Sequence, residues 1–119
     1  MASIFTFTGA EIREDEIVLK QLMPGVETGS VYTDEALGFM IGETRIGPES
    51  GIPAHVGAQE AVFIVVSGSG VVYTESDDGK VLAQAEVKAG DALHYQAPFF
   101  KHRYAAGEDG LAYMVVPVK

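Results

Sequence analysis

The chain has 119 residues, 8 Lys plus Arg against 17 Asp plus Glu, and no cysteine, so it fits one domain spanning 1–119 that needs no disulfide, thiolate metal site or thiol chemistry. A formal charge of −9 disfavours nucleic acid and anionic membrane surfaces, both of which need clustered Lys and Arg. No apolar run approaches the ~20 residues of a membrane span and no basic, apolar leader opens the chain, which predicts a soluble, cytoplasmic protein.

Short segments rich in β-branched and aromatic residues predict strands at 4–7, 16–20, 30–33, 37–46, 60–66, 70–74, 80–87, 92–96, 102–105 and 111–118. Pro24-Gly25 ends a short apolar stretch, Asp77-Asp78-Gly79 marks a hairpin, and Ala89-Gly90-Asp91 and 107–110 are further turns. Gly68-Ser69-Gly70 reads as a turn joining two strands, and without a following helix it does not cradle phosphate. The best helix candidate, 10–23, has no one-sided apolar stripe. About ten short strands with Gly and Pro punctuation argue an all-β sandwich or barrel. Residues 61–66 and 111–116 are apolar on both faces. One face lines the barrel; the other needs a second sheet or the partner of a homodimer.

Three histidines are present: His55, His94 and His102. The segment 47–70, from Gly47 through His55 and Glu60 to Gly68, resembles the first motif of the cupin family. The segment from Gly90-Asp91 through Pro98 to His102, within about 90–105, resembles the second. The resemblance implies an all-β double-stranded β-helix, a jelly-roll barrel. It also implies a divalent transition metal (Fe, Mn, Zn or Ni) held inside by histidines and a carboxylate. On this chain those ligands are His55, Glu60 and His102, with Gln59 a weaker donor. Mixed imidazole and carboxylate ligation suits such ions and leaves positions open for substrate.

The chain departs from the family pattern in three places. Gly57 stands where a second motif-one histidine is usual. Counting back from Gly68 puts Ala61, not Glu60, in the carboxylate slot, and a one-residue shift reverses the strand face. Glu60 then points inward only with a bulge or a shortened loop. The second motif is one residue longer than usual, with Phe99 at its inner glycine.

Other residues carry paired readings. If its face looks inward, His94 is a replacement ligand or a general base, since imidazole titrates near neutrality; outward, it is a surface residue. Tyr104 shares the face of His102 and is the candidate proton donor. Phe63, Tyr95 and Phe99 are candidates for an aromatic pocket wall, with simple core packing the alternative. Arg45, facing inward, grips a substrate carboxylate; facing outward, it pairs with Glu43. Two function classes follow. One is a metal-dependent enzyme (dioxygenase, isomerase or lyase) acting on a small polar molecule. The other is a metal-free cupin that binds a small ligand as a sensor or acid–base isomerase. An accessory protein without a ligand is the third and blandest class.

Overall fold

The computed structural model describes residues 3–7, 10–14, 19–34, 39–56, 60–95 and 100–117, with side chains for 19–33, 40–56, 60–94 and 100–117. Its elements are all strands: β1 (Ser3–Phe7), β2 (Ala10–Glu14), β3 (Lys20–Met23), β4 (Val26–Asp34), β5 (Phe39–Ile46), β6 (Gly51–Val56), β7 (Ala61–Glu75), β8 (Val81–Lys88), β9 (Ala92–Tyr95) and β10 (Lys101–Pro117). No described helix is long and apolar enough to cross a membrane. β1 and β2 form their own two-stranded sheet; the others share one sheet in the order β3-β4-β5-β10-β7-β8, with β6 on β10 and β9 on β7.

Two long strands turn this sheet into two walls. The C-terminal half of β10 pairs with β5 and with the first half of β7, which also carries β9. The N-terminal half of β10 pairs with β6 and with the second half of β7, which also carries β8. Ile46, Ala61, Phe63, Val65 and Tyr113 from the first wall and Ile52, Val87 and Tyr104 from the second form a single buried cluster. This is a jelly-roll barrel, as the strand spacing and the motif resemblance predict.

The bend between walls lies where turns were expected from the glycines. β7 runs unbroken through Gly68-Ser69-Gly70, and β10 runs unbroken through 107–110. The register jumps here from Ala106↔Gly70 to Leu111↔Gly68, so the extra β10 residues bulge out opposite Ser69. Gly68 sits at φ +77°, and a Cβ there would overlap the Gly110 carbonyl oxygen. A side chain at 68 is therefore excluded twice, by backbone conformation and by space.

Several sequence expectations need correction. The stretch 10–23, the best helix candidate, contains β2 and β3. Strand β6 was not anticipated, because Gly51 and Pro53 read as loop punctuation. Proline is tolerated there because, among the described strands, β6 pairs only with β10, so one missing N–H breaks no inner ladder.

Outside the barrel, Val62, Ile64 and Val66 alternate with the buried Ala61, Phe63 and Val65. Met114 and Val116 lie opposite Ile64 and Val62 on that outer face. Ile64 and Val66 are 36% and 44% exposed. The two-faced apolar pattern is thus real, and the described sheet covers one face of it.

A candidate small-molecule site inside the barrel

Strand β6 delivers the first histidine through a bulge. Ile52 pairs with Tyr104 and His55 pairs with His102, so Pro53 and Ala54 together oppose the single residue Arg103. In a regular strand, positions 52 and 55 face opposite ways. The two-against-one bulge cancels that difference and puts both on the inner face. The bulge also fixes the imidazole. His55 Nδ1 lies 3.0 Å from the Pro53 carbonyl oxygen. A carbonyl only accepts, so Nδ1 carries a hydrogen and, in the neutral imidazole, Nε2 presents a lone pair.

His102 follows on β10 as the direct cross-strand partner of both His55 and Thr74. It is buried, at 6% exposure, whereas His55 is exposed at the mouth. The His55 ring stands 6.0 Å from that of Tyr104, which is buried two residues beyond His102. Phe63 stacks on Tyr113 with centroids 4.7 Å apart and an interplanar angle of 11°. Tyr104 lies 5.6 Å from each of them. These rings line a cavity of about 570 Å³ together with His55, Ile52, Ala61 and Thr44. That volume lies in the range typical of small-molecule sites, roughly 300–1,000 Å³. Phe63 also borders a smaller space of about 140 Å³ lined by His102, Thr74, Gln84, Leu93 and His94.

The carboxylate resolves the counting problem. Ala61 is 2% exposed and lines the larger cavity. The pairing from Ala61↔Tyr95 to Ile64↔Ala92 is continuous, so no bulge re-aims this stretch of β7. Glu60 therefore turns away from Ala61, and its Oε2 accepts a hydrogen bond from His94 Nε2 at 2.7 Å. His94 pairs with Val62 in the register, on the face opposite Phe63 and Leu93. Both side chains of this pair are partly exposed. His55 and His102 are thus cross-strand neighbours that line different cavities, and Glu60 is left with His94. Among the described residues, no three His, Asp or Glu side chains gather in a group able to hold a metal ion. The donor set His55, Glu60 and His102 does not fit a metal, because its third member faces away.

Arg45 also lies outside the cavity. Thr44 and Ile46 face inward, and Arg45 Nε donates to Glu43 Oε2 at 2.5 Å on the outer face. Tyr104 and Phe63 line the cavity; Gln59, Phe99 and the side chain of Tyr95 lie outside the described residues. Sequence reasoning overlooked Thr28, Ser30 and Thr44, which bring hydroxyls to the cavity from β4 and β5. Alternation along 37–46 could have flagged Thr44; nothing in the sequence singled out the other two.

No family model and no curated protein matches the chain. Solved structures do. An oxalate decarboxylase from Lactobacillus farciminis, solved as a formate complex, aligns with a TM-score of 0.68 at 16% identity. The alignment covers 85% of this chain and 30% of that one, so the chain spans under a third of the decarboxylase. KdgF from Halomonas sp. aligns at 0.63 and 19% identity, covering 86% of this chain and 89% of KdgF. The cupin domain of Drosophila melanogaster CENP-C aligns at 0.69 and 17% identity, covering 87% and 76%. At these identities the likeness speaks to architecture, and function has to be argued from the site. The motif order, the two-walled barrel and these neighbours agree: the chain has the cupin fold.

Proposed function

We propose that the chain is a single-domain, small-molecule-binding cupin that works without a carboxylate-held metal. The observation that carries this reading is Ala61. A methyl group occupies the inner β7 position where the motif resemblance implies a carboxylate, and Glu60 is engaged with His94. The substitution leaves room for an organic ligand against Phe63, Tyr104 and Tyr113. His55 Nε2, held as an acceptor by the Pro53 carbonyl, receives a hydrogen bond or a proton from that ligand. Tyr104, which lines the same cavity, is the second candidate for ligand contact or proton transfer. This suits a sensor or an acid–base isomerase.

The deciding experiment is elemental analysis of untagged protein never exposed to chelator, paired with a thermal-shift ligand screen before and after chelation. No stoichiometric metal, with ligand shifts that survive chelation, is expected. A metal near one per chain, or shifts lost on chelation, overturns the reading.

One observation favours the metal-dependent enzyme instead: His55 and His102 are direct cross-strand partners, which places their Cβ atoms roughly 5 Å apart. In that reading the third protein donor comes from 57–59, with Gln59 the available side chain, and His102→Ala abolishes metal retention. The outer face of β7 and β10 supports a homodimer, in which a second copy covers Ile64 and Val66. Ile64→Lys should then shift sedimentation to the monomer, and an unchanged sedimentation coefficient refutes that interface. A cytoplasmic location agrees with the absence of cysteine.

A further inference from the structure

We propose that the barrel cavity selects small molecules that carry N–H or O–H donors and no negative charge, and rejects carboxylates. The inference rests on the reading of this cavity as a ligand site and names the chemical class it takes.

The cavity wall is mostly apolar, and the polar side chains it offers, tyrosines aside, are acceptors. His55 Nε2 offers a lone pair because Nδ1 donates to the Pro53 carbonyl. Three hydroxyl residues line the cavity, Thr28, Ser30 and Thr44, and each spends its hydrogen on the protein. The Thr28 hydroxyl donates to the Glu43 carbonyl oxygen at 3.2 Å. In the 3.3 Å contact between Thr28 and Thr44, the hydrogen must then come from Thr44. The Ser30 hydroxyl donates to the Met40 sulfur at 2.9 Å. What these oxygens retain for a ligand is lone pairs. The tyrosine hydroxyls of the wall can act either way and do not set the preference.

Charge points the same way. Among the described residues lining the cavity there is no Lys or Arg. Arg45 and Arg103 are both committed to carboxylates, Glu43 and Glu75. A carboxylate ligand would meet lone pairs and the negative faces of aromatic rings, with no cation to offset its desolvation. The chain's net charge of −9 adds to that barrier. A neutral donor meets none of these penalties, and for a cationic one the lone pairs, the ring faces and the net charge offset its desolvation.

Three ring compounds of similar shape test this: p-xylene, 4-hydroxybenzyl alcohol and 4-hydroxybenzoate, titrated into the full chain. Binding is followed by NMR of the Ile52 and Ala61 methyl groups, both of which line the cavity. The alcohol is expected to bind at least tenfold more tightly than either of the others. His55→Phe, and separately the near-isosteric Thr44→Val, should weaken the alcohol without weakening p-xylene. Two variants at opposite walls keep the test alive if one fails to fold. Equal binding of alcohol and benzoate, or tighter binding of benzoate or p-xylene, overturns the donor preference and leaves the cavity a ligand site. No methyl shift with any of the three overturns the cavity reading itself.

Discussion

Placing a carboxylate at position 61 tests the register on which the site depends. Ala61 is almost wholly buried and faces the cavity, whereas Glu60 is partly exposed and paired with His94. In Ala61→Glu, the new side chain enters a space bounded by Phe63, Tyr113 and His55. Without a cation, burying that carboxylate or its protonated form should cost about 3 kcal/mol. With a urea slope of about 2 kcal/mol/M, the unfolding midpoint falls by about 1.5 M. The same carboxylate enters the cavity beside His55, whose cross-strand partner is His102, and should complete a three-donor set that is absent among the described residues. A divalent ion at 100 times its dissociation constant should then return about 2.7 kcal/mol. The assay is urea denaturation with and without Co²⁺, whose visible absorption also reports ligation. Glu60→Ala is the control; as a partly exposed pair, its loss should cost under about 1 kcal/mol with no metal response. If Ala61→Glu leaves the midpoint unmoved while Glu60→Ala lowers it, residue 60 faces inward and the register is wrong. If Ala61→Glu destabilises but Co²⁺ restores nothing, His55 and His102 do not converge.

Three further outcomes are expected. Gly68→Ala should lower stability by at least about 2 kcal/mol in urea unfolding, because position 68 combines a positive φ with overlap against Gly110; a smaller loss would mean the bend between walls is plastic. Arg103 donates to Glu75 at 2.5 Å and lies 3.8 Å over the Tyr73 ring, so Arg103→Ala strands a nearly buried carboxylate and should cost about 1–2 kcal/mol. In a Glu75→Gln background that cost should drop by half or more, and additive losses in the double-mutant cycle would refute the coupling. In the β7–β8 hairpin, the Ser76 hydroxyl, and then the Lys80 backbone N–H, hold the Asp78 carboxyl below its ordinary 3.8. A depressed carboxyl pKa stabilises the fold above the unfolded value and loses that contribution as pH falls through the folded one. Ser76→Ala should therefore raise the Asp78 titration toward 3.8, followed by carboxyl NMR shifts, and no movement would refute the turn hydrogen bond.

The barrel was legible because its signals are local and mutually consistent. Residues 61–66 and 111–116 are apolar at every position, which only a buried or doubly covered strand explains, and they form the paired centre of the structure. The Asp77-Asp78-Gly79 turn falls between β7 and β8 as its residue types predict. What escaped was whatever depends on pairing. Pro53 looks like a breaker until β6 is seen at an edge, where a missing N–H is harmless. Gly68 looks like a turn until β10 is seen bulging alongside it. Arg45 and Glu43 share a face by alternation, but only Thr44 lining the cavity while Arg45 stays exposed shows which face it is.

The histidines show how far spacing alone can carry a site. Positions 55 and 102 lie 47 residues apart, and no periodicity relates them. The motif resemblance pairs them, and the β6–β10 register makes them neighbours. Position 60 is the reverse case. It carries the residue type the motif wants, at a plausible distance from His55, and composition alone would accept it as a ligand. Strand parity rejects it: Gly68 fixes the end of the first β7 segment, Ala61 lies seven residues before it, and one position is enough to move a side chain from the cavity to the outer face. The Pro53–Ala54 bulge corrects the same kind of parity error for His55, and the continuous pairing of β7 with β9 leaves none to correct Glu60. In this barrel the chemistry available to a ligand is thus decided by where bulges fall. One histidine is turned in with its acceptor nitrogen presented, and one carboxylate is turned out. The cavity beside that histidine is the one we propose takes an organic molecule with hydrogens to donate.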